Sequence, residues 1–136
     1  MSTKLDLSVT VRFNRRKRES KMDYYPDKWV VLKVTPKKGK IWYRVLGSWY
    51  GGYLGADSWR MNSGITKAEV VGPSFAFNGV SGSVYYCNKS NYGMSGYTTS
   101  VLANTQDAYK HSGSTLEVMP EDTDWLSLEY GLKEKK

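Results

Sequence analysis

Leu5, Leu7, Val9, Val11 and Phe13 alternate with Lys4, Asp6, Ser8, Thr10 and Arg12, and a period of two marks a strand with one buried face. A second strand is predicted over residues 28–35, where Trp29, Val30, Val31, Leu32 and Val34 crowd together in β-favouring types. Pro36-Lys37-Lys38-Gly39 then reads as a turn, because proline presets φ and glycine reaches positive φ without a steric cost. A third strand over 40–46 closes an antiparallel hairpin. Its alternation puts Trp42 and Arg44 on one face with Lys40, and Ile41, Tyr43 and Val45 on the other.

The glycines of residues 47–55 break this regularity and predict a bulged strand or a loop pressed on the core. Short strands follow over 58–61, 67–71, 74–77 and 83–87, punctuated by Asn62-Ser63-Gly64, Gly72-Pro73 and the turn-favouring pair Asn78-Gly79. One helical stripe interrupts them: Val101, Leu102, Thr105, Ala108 and Tyr109, with Thr99 or Ser100 as the cap and Gly113 beyond the end. Near the C-terminus Leu126, Leu128, Tyr130 and Leu132 alternate as a strand does, and Leu116 and Val118 supply a partner for a last hairpin. The pattern predicts a mainly β or β-dominated α+β fold, a small antiparallel barrel or sandwich with one short helix.

The length of 136 residues matches one domain with one core, and five Trp, eleven Tyr and three Phe supply the apolar surface to fill it. A single cysteine, Cys87, rules out an internal disulfide and fits a reducing compartment. The N-terminus has no apolar stretch of signal-peptide length and no window approaches a membrane span, so a cytoplasmic location is expected, that of an infected host if the protein is viral.

Charge changes the picture more than composition does. Of the net +7, residues 1–40 hold twelve basic and four acidic side chains, residues 41–132 hold five and eight, and residues 133–136 form a short basic tail. The density peaks in RFNRRKRESK, residues 12–21, at the start of a predicted basic loop over 14–27. Arg12, Arg15, Arg16, Lys17, Arg18 and Lys21 supply phosphate-neutralising groups, the arginines as rigid donor forks and the lysines as point charges. Such a polarised chain steers a polyanion to one face.

Lys40, Trp42 and Arg44 extend this candidate nucleic-acid surface, with Trp42 as the expected exposed platform for stacking on a base. Trp49, Tyr50 and Tyr53 beside their glycines, and Ser81 and Ser83 in Gly79-Val80-Ser81-Gly82-Ser83, are the candidates for holding a small ligand or an anion. Neither GxxxxGK[ST] nor GxGxxG is present, so no nucleotide cofactor is implied. His111 and Cys87 lack an orienting third group, the carboxylates are too dispersed for a metal centre, and a non-catalytic role is the default.

These features predict a small protein that contacts nucleic acid or another polyanion through a basic loop and an aromatic sheet face. A protein-interaction or inhibitory accessory module, viral or otherwise, that docks on an acidic protein surface is one alternative. A small-nucleotide-binding protein built on the glycine-rich turns is another. The acidic region containing Glu117, Glu121, Asp122, Asp124 and Glu129 is the internal competitor for the basic loop.

Overall fold

The computed structural model describes residues 21–50 and 58–133. The strand predicted over 5–13, the basic residues Arg12 to Arg18, Tyr53 and the tail 134–136 lie outside the described residues. In chain order the elements are β1 (Asp23–Tyr24), β2 (Lys28–Thr35), β3 (Trp42–Trp49), β4 (Ser58–Met61), β5 (Ile65–Val71), β6 (Ser74–Gly79), β7 (Val84–Asn88), α1 (Gly96–His111) and β8 (Thr115–Val118). They form two open four-stranded sheets, a central one ordered β4-β3-β2-β8 and an outer one ordered β1-β7-β6-β5. Every strand pair is antiparallel except β1 with β7. Among the described residues the β-rich expectation therefore resolves into a sandwich-like arrangement with one α-helix, and not into a closed barrel.

The crowded apolar run of β2 explains the layering. Trp29 and Val31 point toward the outer sheet, where they meet Val45, Ile65, Phe77, Tyr85 and Cys87. Val30, Leu32 and Val34 point the other way, against Leu46, Leu116 and Leu102 of α1. A strand buried on both faces cannot alternate polar with apolar, so its sequence reads as a continuous hydrophobic block.

Trp29 is the centre of the inter-sheet core. It is 1% exposed, its ring lies 5.5 Å from Phe77, 4.6 Å from Tyr92 and 5.9 Å from Trp125, and its Nε1–H donates to the Asn88 carbonyl at 2.7 Å. Edge-to-face packing lets the aromatic quadrupoles attract where a face-to-face stack would not.

Strand β3 runs over 42–49 where 40–46 was expected, and Gly47 is an ordinary strand residue paired with Trp29 and Arg60. Its lack of a side chain admits Pro26, whose Cβ would lie 3.0 Å from any Cβ at position 47. Asn78-Gly79 likewise ends β6 and is not itself the turn. Gly82, at φ +94°, supplies the left-handed residue, and the Gly79 N–H bonds the Ser83 carbonyl at 2.8 Å. Within the expected basic loop, Asp23 and Tyr24 pair in parallel with Val84 and Tyr85, so part of that stretch is strand.

The helix is longer than expected, at 16 residues, and its cap is Ser95 in place of Thr99 or Ser100. Ser95 Oγ accepts the Thr98 N–H at 3.2 Å while Thr98 Oγ1 accepts the Ser95 N–H at 2.9 Å, a reciprocal capping box. At the other end Gly113 takes φ +88°, and the N–H groups of Gly113 and Ser114 return to the carbonyls of Lys110 and Tyr109. Among the described residues no helix is long and apolar enough to cross a membrane.

The last hairpin does not form. Strand β8 pairs with β2, and after Pro120 the chain proceeds through turns in which the Thr123 N–H bonds the Pro120 carbonyl and Asp124 Oδ1 accepts the Leu126 N–H at 3.2 Å. Trp125 and Tyr130 enter the core while Leu126 is left 53% exposed. The two large rings bury more apolar area than the alternating leucines offer, and they set which side of the segment faces inward.

Because Trp29 joins both sheets, Trp29→Ala is expected to cost about 3–5 kcal/mol, measured as the shift in chemical-denaturation free energy. A change below about 1 kcal/mol would place the stabilising centre elsewhere.

Candidate functional site

The connection from β4 to β5 carries the chain from the central sheet to the outer one in three residues, Asn62-Ser63-Gly64. Gly64 at φ +133° makes the bend, and Asn62 holds it. Its Oδ1 accepts the N–H groups of Val45 at 2.9 Å and Gly64 at 3.2 Å. Its carbonyl accepts Nε and Nη2 of Arg44 at 2.9 and 2.7 Å.

With Oδ1 fixed as the acceptor, the Asn62 Nδ2 is fixed as the donor, and this buried nitrogen has no hydrogen-bond partner. A buried donor left without an acceptor costs roughly 1–3 kcal/mol. Asn62 lines a cleft of 250 Å³ together with Tyr24, Arg60, Met61, Ser63, Ser81, Ser83 and Tyr85.

Each wall of the cleft has a structural cause. Tyr24 arrives on β1 and packs on Tyr85, ring centroids 4.8 Å apart. The Arg60 guanidinium lies 5.0 Å from the Tyr24 ring centroid, a cation–π contact that orients an exposed side chain. Ser63 Oγ accepts the Ser81 N–H at 3.1 Å, and Ser83 Oγ accepts the Met22 N–H at 3.1 Å, so both hydroxyls keep a proton to donate. Burial pushes the Tyr85 phenol well above its ordinary range, with Arg60 pulling it partly back, and Tyr85 is a neutral hydroxyl at pH 7. The lining includes one cation and no carboxylate.

The residues singled out from the sequence are distributed differently from their expected grouping. Ser81 and Ser83 reach the cleft. Trp42 and Arg44 share a face, as alternation predicts, but that face is the one packed toward α1. Arg44 donates to the Tyr109 hydroxyl at 2.8 Å as well as to Asn62, and Trp42 is half-buried beside Arg44 and the residues packed under the helix. In place of an open stacking platform, Trp42 is half-buried with the Arg44 guanidinium 5.6 Å from its ring centroid. Lys40 precedes β3 and is exposed.

Trp49 is half-buried, donating its Nε1–H to the Tyr25 carbonyl at 3.0 Å, and Tyr50 is exposed with its N–H bonded to Asp27 Oδ2 at 2.8 Å. Beside the outer sheet, the exposed Tyr25 stacks on Tyr86 at 5.0 Å and 12°. Lys21 lies at the cleft rim, its side chain lying where a Cβ on Gly82 would go.

Cys87 is buried between the sheets, which raises its thiol pKa, while His111 ends α1 in solvent against Asp107. The two occupy different layers.

Arg60, Asn62, Ser63 and Tyr85 escaped sequence reasoning as site residues. The only linear signal was the turn triplet Asn62-Ser63-Gly64, which marked a bend without saying that two sheets meet there. Compared with protein-family models, with curated proteins and with solved structures, the chain shows no match in any of the three.

The buried phenols set a pH dependence. Burial raises Tyr92 from 10.0 to about 12, and burial also raises Tyr85 and Tyr130. Between these limits the folded chain keeps protons that the unfolded chain has lost, so stability is full below about pH 10 and falls as pH rises toward 12. Denaturant titrations across that window, followed by tyrosinate absorbance, should show the loss. Constant stability with all tyrosines ionising together would contradict it.

Proposed function

We propose that this protein binds a nucleic-acid strand, neutralising backbone phosphates with its basic segment and seating part of the ligand in the cleft between β1, the end of β4 and the β6–β7 turn. The observation that carries the reading is where the chain leaving the basic segment joins the fold. The Met22 N–H bonds Ser83 Oγ, the Val84 N–H bonds the Met22 carbonyl at 2.9 Å, and Lys21 lies over Gly82. The sequence segment that holds six cationic residues at positions 12–21 is thus continuous in the chain with Met22, which bonds Ser83 of a cleft lined by a further arginine and by neutral donors.

Electrostatic attraction from the first third of the chain gathers the polyanion, and hydrogen-bond donors in the cleft fix a contact once it arrives. Charge supplies most of the affinity and little of the sequence preference. Counterion release then makes binding fall with salt, by roughly 0.9 in the logarithmic slope for each phosphate neutralised on duplex DNA and roughly 0.7 on single strands.

The combined substitution Arg15→Ala, Arg16→Ala, Arg18→Ala is expected to weaken binding of unrelated oligonucleotides alike and to lower the salt slope by about 2 to 3. Fluorescence anisotropy over a salt series reads both. If neither single- nor double-stranded probes associate at low salt, the proposal fails, and a stoichiometric partner captured after nuclease treatment would replace nucleic acid by protein.

A further inference from the structure

Among the described residues each open sheet ends in two edge strands, and the four edges are not alike. Strand β1 spans two residues, and β4 and β8 span four each. The edge of β8 is already partly closed, because its Leu116 carbonyl accepts Gln106 Nε2 from α1 at 2.8 Å. Strand β5, at seven residues, is the longest of the four, and no proline interrupts it. An edge of this length offers a row of backbone donors and acceptors to another strand.

The register of the outer sheet shows which groups face that edge. The Gly79 N–H turns away from β5 to bond the Ser83 carbonyl at 2.8 Å. By alternation along β6, Asn78 and Ala76 exchange bonds with their partners Lys67 and Glu69. Ala68 and Val70 therefore aim their N–H and C=O groups outward. Val70 and Val71 are 46% and 47% exposed although both are apolar. Lys67 and Glu69 lie on one face, with Nζ 3.4 Å from Oε2.

We infer that β5 is a homodimer interface, on which a second copy of this chain pairs its own β5 antiparallel about a twofold axis at Ala68. The inference does not rest on nucleic-acid binding. Charge selects both the occupant and the register. A twofold axis at Lys67 or at Glu69 would set like charges face to face, which destabilises a strand pair. An axis at Val70 would set Glu69 against the apolar Val71 of the second copy.

Only the axis at Ala68 sets Lys67 opposite Glu69 of the second copy, and Glu69 opposite its Lys67. Each charge then has one opposite neighbour within its strand and one across the axis, while like charges lie on the longer diagonals. The outward groups of Ala68 meet those of its symmetry mate, Val70 is covered beside Thr66 of the second copy, and the two outer sheets become one. The irregularity between Ile65 and Lys67 ends the ladder on that side. One short ladder buries less than the roughly 1,200–2,000 Å² of a standard interface, so the dimer is weak and depends on concentration.

Sedimentation of the nuclease-treated full chain over a concentration series reads the dimer without a bridging strand, and amide exchange at Ala68 and Val70 locates it. A monomer–dimer equilibrium is expected, with exchange at those two amides slowing as the dimer forms. Glu69→Lys or Lys67→Glu alone sets like charges opposite each other twice and should raise the dissociation constant about 10- to 100-fold. Both side chains are more than half exposed, so the fold tolerates either change. An equimolar mixture of the two single variants regains opposite charges across the axis and should dimerise as the original chain does. The double variant Lys67→Glu, Glu69→Lys should do the same.

A chain that stays monomeric at every concentration overturns the inference. So do single variants that dimerise like the original chain, or a mixture that associates no better than either variant alone. Protection of the Ala68 and Val70 amides that does not change with concentration also overturns it, because another part of the same chain then covers the edge.

Discussion

Strand β2 is the constraint on which the layers depend. With Trp29 and Val31 buried on one face and Val30, Leu32 and Val34 on the other, it must be covered twice, by a second sheet and by a helix. Its neighbours in the central sheet inherit the same division. Tyr43 and Val45 of β3 join the inter-sheet core, and Leu46 joins the cluster under α1. The long C-terminal excursion is drawn in for the same reason, since Trp125 packs against Trp29, Phe77 and Tyr92. Removing apolar area from water is the driving term, and the position of the rings decides where it can be collected.

A fold that stacks two open sheets needs a place for the chain to pass between them, and Asn62 makes that passage stable. Its carbonyl and Oδ1 satisfy groups from β3 and from the bend itself, which is why a polar side chain is tolerated so deep in the structure. The same service fixes the amide and leaves its buried nitrogen without a hydrogen-bond partner. Architecture and candidate chemistry thus meet in one residue. Arg44 illustrates the opposite outcome: an arginine on a promising strand face is consumed by Asn62 and Tyr109, so its charge does structural work at the helix–sheet boundary.

Local patterns carried much of the fold. The hairpin of β2 and β3, the short strands after it and the helix around Leu102 were all legible from periodicity and turn residues. The C-terminal alternation misled because Pro120, Thr123 and Asp124 close local turns, and because Trp125 outweighs any single leucine in the core. The candidate site was legible only in fragments. Ser81 and Ser83 stood out through their glycines, but Arg60 and Tyr24 stand far from them in the chain and share no motif with them.

What the sequence determined by itself was the β-rich class, the single helix, the concentration of positive charge in the first third and the want of a recognisable cofactor motif. These follow from near-neighbour physics: side-chain period, backbone freedom and charge density act over a few residues. Which face of β3 would be covered, and, among the described residues, which arginine would be tied into the scaffold and which amide would be buried without a partner, were decided by the tertiary structure. Such outcomes depend on residues brought together across sheets, where burial and hydrogen-bond competition assign each polar group either to the scaffold or to the cleft.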